Sequence, residues 1–241
     1  MRARVLTSSV DSSLTIKLLP AVLSLIAGSV DVISFLGLGG LFTAHITGNL
    51  VILASHIVNG GEAPVAPMLS VPVFMVMLVL TRLLVGGLES LGVASLRPLL
   101  LLQLLLLACF FCVAAGPHID PKATIAIVAG MLGVSAMAVQ NALVHLSLKG
   151  APTTAVMTTN VTRFAMDVGK ILFGGDPADV AKARDQAART LPVIVGFAVG
   201  CGLGAACQAA VDLWSLGLPA GLALIAFIMG FSAEPAREKG P

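Results

Sequence analysis

Charge is scarce in this chain. Of its 241 residues 11% are Asp, Glu, Lys or Arg, and 57% are hydrophobic. An ordinary soluble domain carries about 25% charged residues, so that class is excluded. The net charge of +2 gives no reason to invoke nucleic acid. Cysteine is scarce too. Cys109 and Cys112 are spaced like half a zinc knuckle but have no second pair at matching spacing, and Cys201 and Cys207 lie among small residues. All four read as buried hydrophobes, which leaves no disulfide and no metal. No Ser–His–acid set, phosphate-cradling glycine loop or ATPase segment occurs, so neither an enzyme nor a bound cofactor is expected.

What the chain does have is apolar length. Six stretches are long enough to cross a hydrocarbon core of about 30 Å: Leu18–Leu38, Met68–Leu91, Pro98–Ala115, Ala123–Leu146, Thr190–Leu213 and Leu216–Ser232. Two shorter stretches, Thr47–Val58 and Thr158–Phe173, read as short helices. The first is too short to cross. The second holds Arg163, Asp167 and Lys170 on one face, where they can pair with each other. The expected fold is an all-α polytopic membrane protein, one domain over residues 1–241, with six transmembrane helices and two short motif-bearing helices.

Basic residues favour six crossings over eight. With six, and both termini cytoplasmic, the inside holds Arg2, Arg4, Lys17, Arg97, Lys149, Arg163, Lys170, Lys182, Arg184, Arg189, Arg237 and Lys239. The outside holds Lys122. Arg82 lies near the inner end of its span, where it can snorkel.

A phrase recurs. Thr43, Thr47, Gly48 and Asn49 of the first copy match Thr154, Thr158, Thr159 and Asn160 of the second. Each copy follows an apolar span and opens a short helix. Val30-Asp31 aligns with Val139-Gln140, and Pro72-Val73 with Pro192-Val193. The chain thus divides into two halves, residues 15–116 and 123–232. Three spans per half make the halves inverted. In the second half, Asp176 and Pro177 open an amphipathic stretch running to Arg189, read as lying on the membrane surface. Gly196, Gly200 and Gly204 then form a small-residue stripe, suited to close packing within the protein or between copies in a homo-oligomer.

Residues 27–37, the phrase Thr47-Gly48-Asn49 and the phrase Gln140-Asn141-Ala142 together resemble the YoaK-like family of uncharacterised inner-membrane proteins. The resemblance covers about residues 15–232. It implies about six spans and a bacterial cytoplasmic-membrane location, and carries no substrate. Members often have Arg where this chain has Ile52; Arg163 fills the matching place in the second half.

The polar residues inside the apolar spans suggest a function, because hydrocarbon cannot satisfy them. Asp31 is a candidate ion-coupling site. Thr47, Gly48, Asn49, Thr158 and Asn160 stand at helix starts, where unsatisfied N–H groups can hold a solute. Gln140 and Asn141 extend that polar set, with His145 one turn on, and Arg163 would neutralise charge from the inner side. The leading expectation is a secondary transporter of a small polar or anionic solute, coupled to protons. The alternatives are a passive channel and a non-transporting membrane scaffold or accessory subunit.

Overall fold

The computed structural model describes residues 2–59, 64–116 and 119–232, with side chains from Lys17 onward. The side chains of Arg2 and Arg4, and residues His118, Arg237 and Lys239, lie outside that range. Among the described residues the chain is entirely helical: α1 Arg2–Gly37, α2 Ile46–Val58, α3 Val65–Ser90, α4 Leu96–Ala114, α5 Thr124–Ser147, α6 Met157–Phe173, α7 Pro177–Val211 and α8 Gly217–Ser232, with a 3-10 turn at Asp212–Leu216. Five stretches are long and apolar enough to cross a membrane; the last runs from Pro177 to Ser232. Asp212, in the left-handed region at φ 50°, divides that stretch into α7 and α8. The Ser215 hydroxyl donates to Gln208 Oε1 and ties the turn back to α7. These helices make the chain a membrane protein by length and composition.

Two boundaries differ from the sequence reading. The amphipathic stretch before Arg189 is not a separate surface helix; it runs unbroken through Pro192 into the fifth apolar span. Its start is as expected, with the Asp176 side chain accepting from Ala178 N at 3.0 Å and Pro177 in the first turn. The first helix likewise begins well before Leu18.

The two most buried helices, α1 and α5, form the centre. They run antiparallel: Gly130 of α5 sits against Leu38 and Leu41 just beyond the end of α1, while Gln140 donates to Leu23 O nearer its start. Helices α7 and α8 pack on α1, and α3 and α4 pack on α5. Helix α2 leans on α3, α6 leans on α7, and α4 meets α8. Exchanging α1 with α5, α2 with α6, α3 with α7 and α4 with α8 carries this packing scheme onto itself. The α4–α8 pair is antiparallel: Arg97 donates to Gly230 O, and Phe111 meets Trp214 at the other end.

Helices α1 and α7 run parallel and very close. A Cβ on Gly196 would lie 2.6 Å from Ala21 O, one on Gly200 2.3 Å from Leu25 O, and one on Gly204 2.9 Å from Ser29 Cα. Small residues allow backbones to approach in this way. The stripe is therefore buried against α1 within the chain.

Candidate functional site

The polar motifs fix the two connectors that follow α1 and α5. After Gly37 the chain turns back toward the bundle centre and reaches Asp31, which is 2% exposed. Its carboxylate accepts from the backbone N–H of Thr43 at 2.8 Å, of Ala44 at 2.6 Å and of His45 at 3.2 Å. The Thr43 hydroxyl donates at 3.2 Å, and His45 Nδ1 lies 2.5 Å from Oδ2. Three successive N–H groups converging on one carboxylate form an anion-holding concavity built from backbone. Asp31 supplies that anion from within the chain.

Asn49 holds the same connector from the other side. Its Oδ1 accepts from Phe42 N, and its Nδ2 donates to Phe42 O and to Ser70 Oγ. The amide thus pairs with a backbone residue as another strand would. Asn160 repeats part of this pattern, donating to Thr153 O, also seven residues back. Gln140 takes the place of Asp31: its Nε2 donates to Thr154 Oγ1 and Leu23 O, and its Oε1 accepts from Gln103. Neither Asn caps its helix. Helix α2 starts at Ile46 and α6 at Met157, with no side-chain cap at His45 or Val156.

Between the two connectors lies a cavity of about 780 Å³, within the usual range for small-molecule sites. The first connector contributes His45 and the start of α2 Thr47, the second connector Thr153 and the start of α6 Thr158, and α5 contributes Asn141 and His145. Arg82 of α3 and Lys149 also face it, with no Asp or Glu among the lining residues. The His45 ring itself packs among aromatic rings: Phe197 lies 5.2 Å from it and Phe42 6.3 Å, with Phe35 4.8 Å from Phe42. The hydrogen bond to Asp31, aided by charge attraction, raises the pKa of His45 above its ordinary value; partial burial opposes this.

The structure thus brings Thr47, Asn141 and Thr158 together around one space. It places Asp31, Asn49, Gln140 and Asn160 behind that space, holding its walls. Gly48 lies under the Phe42 ring, where a Cβ would approach to 2.8 Å. Arg163 is elsewhere, in a separate cleft between α6 and α7. Arg82 and Lys149 were legible only as basic residues near a span end; their convergence depends on how α3 packs on α5.

Comparison with curated proteins and with solved structures returns no match. Residues 19–229 match a family described as proteins of unknown function. This match takes in the central helix pair, both connectors and the cavity between them, in agreement with the resemblance carried by the Asp31, Thr47–Asn49 and Gln140 phrases. The chain belongs to the DUF1275 family.

Proposed function

We propose that this protein is a secondary transporter of a small anionic solute and that the cavity between the connectors is its binding site. One observation carries the reading: a cavity of about 780 Å³ takes in both motif connectors and is lined by Arg82, Lys149, His45 and His145 with no carboxylate. Such a lining attracts negative charge and repels cations. The self-matching packing scheme and the antiparallel α1–α5 pair support two inverted halves, an architecture suited to alternating access. With α2 and α6 as short non-crossing helices, the chain has six crossings. Lys17, Arg97 and Lys149 then share the cytoplasmic end.

In this reading the proton role lies with the Asp31–His45 pair rather than with Asp31 alone. The carboxylate is committed to the connector backbone. His45 is the member that faces the cavity, with its side chain 34% exposed. Asp31 orients the ring by accepting from Nδ1, leaving Nε2 to exchange a proton.

The test uses purified protein in liposomes offered small carboxylates and inorganic phosphate. A pH gradient should drive uphill accumulation of at least one anion. Arg82→Gln and Lys149→Gln should each raise the half-saturating concentration about tenfold, the loss of roughly one charged contact. His45→Gln should abolish gradient-driven accumulation while downhill flux persists. Downhill flux without accumulation in the wild type would make the protein a channel. No flux of any anion would remove the transport reading.

A further inference from the structure

A second cleft, of about 520 Å³, lies between α6 and α7. Thr162, Arg163, Met166, Asp167 and Lys170 of α6 line it, with Gln186 of α7 opposite. The sequence spacing suggests that Arg163, Asp167 and Lys170 pair with one another. They do not: among the described residues no salt bridge joins them. Asp167 is 4% exposed, and its Oδ2 is buried with no hydrogen-bond partner. Arg163 and Lys170 are exposed on either side of it.

A carboxylate withdrawn from water and left without a donor is costly. The site therefore calls for a ligand that brings a cationic donor to Asp167. The flanking guanidinium and ammonium call for an anion on the same ligand. Along the helix Asp167 is about 6 Å from Arg163 and about 4.5 Å from Lys170. An amine and a phosphate joined by two carbons span a comparable distance.

The position of the cleft says where such a ligand comes from. Gln186 lies seven residues, about 10 Å, before Val193, whose carbonyl accepts from the buried Ser24 hydroxyl within the apolar bundle. The cleft is thus at the depth where a span leaves hydrocarbon for the headgroup layer. Around it α6 exposes Val161, Met166, Leu172 and Phe173, an apolar border for acyl chains. We propose that this cleft binds the headgroup of an aminophospholipid, with the ammonium on Asp167 and the phosphate on Arg163 and Lys170. The site shares Thr158 with the solute cavity but is otherwise built from separate residues, so it stands or falls independently of transport.

The experiment is lipid retention by native mass spectrometry. Delipidated protein in detergent is offered phosphatidylethanolamine, phosphatidylglycerol and phosphatidylcholine in equal amounts. Wild type should retain phosphatidylethanolamine about tenfold over the other two, as expected for one charge-assisted contact that they cannot make. Asp167→Asn should abolish that preference, with thermal melting as the check on folding. Arg163→Gln and Lys170→Gln should each weaken retention of phosphatidylethanolamine and phosphatidylglycerol alike, which keeps the test open if the Asp167 variant does not fold. Free phosphoethanolamine is the competitor: displacement of the lipid is expected if the headgroup occupies the cleft, whereas binding of free phosphoethanolamine with no retention of phosphatidylethanolamine would assign the site to a soluble ligand and overturn the lipid source. Equal retention of the three lipids by wild type, or an undiminished preference in Asp167→Asn, overturns the proposal.

Discussion

The Asp31 carboxylate organises more of this site than any other side chain. Five hydrogen bonds from Thr43, Ala44 and His45 end on it. Asp31→Asn keeps the shape but replaces one accepting oxygen with a donor that faces other donors. Bonds to a charged group contribute about 1.5–3 kcal/mol each. Loss of several, partly offset by relaxation, should lower stability by about 3 kcal/mol, read as a lower melting temperature in detergent. The His45 partner adds a pH dependence. Its pKa is raised in the folded state by the hydrogen bond to Asp31. The stabilisation is therefore fully present below the ordinary histidine value of 6.5 and is lost as pH rises through the higher folded value. Melting temperature should fall across that window in wild type, and this fall should be absent from His45→Gln. An identical pH profile in the variant would refute the linkage. At this scale the sequence reveals which residues matter but not which way they face. Asp31, Asn49, Gln140 and Asn160 stand out because polar groups beside membrane spans need partners. Their partners are connector backbone and facing helices, and only the path of the chain back toward the bundle centre determines that.

Among the elements, α3, α4, α5 and α8 were legible to within three residues at either end, because hydropathy and length act locally. The joins were not. The amphipathic stretch reads as ending at Arg189, yet α7 continues past it and through Pro192. A helix held by neighbours on both sides of a proline tolerates the missing hydrogen bond. The glycine stripe was legible as a spacing of four, but its partner was not, since the α1 residues it meets lie 175 positions earlier, Ala21 for Gly196, Leu25 for Gly200 and Ser29 for Gly204. That partner now makes a sharp contrast possible within one helix. A Cβ on Gly200 would lie 2.3 Å from Leu25 O, a backbone atom that cannot rotate away, whereas Gly202 has nothing within 4 Å. Gly200→Val should force α1 and α7 apart and cost about 2 kcal/mol or more, as overpacking does. Gly202→Val should leave the melting temperature almost unchanged. Equal effects would mean that α1 and α7 are not in register as described.

For the whole molecule, the direction of α5 relative to α1 discriminates between the six-crossing and eight-crossing readings. If α2 does not cross, α5 is the fourth crossing and must run opposite to α1. If α2 and α6 both cross, α5 is the fifth and must run the same way. Gly130 against Leu38 and Leu41, with Gln140 bonded to Leu23 O, sets the pair antiparallel. That direction supports the proposed six crossings, which in turn predict the sides of two exposed turns. Under the proposed six crossings with a cytoplasmic N-terminus, exposed Ala94, between α3 and α4, is predicted at the cytoplasmic end, and exposed Asp120, between α4 and α5, outside. Single cysteines there, in a background lacking Cys109, Cys112, Cys201 and Cys207, report the side through an impermeant maleimide. Asp120→Cys should react in intact bacterial cells, and Ala94→Cys only after permeabilisation. Eight crossings, again with the N-terminus inside, reverse both results. That outcome would make the halves parallel, place both connectors on the same side and leave the cavity without the opposed pair of short helices on which alternating access depends.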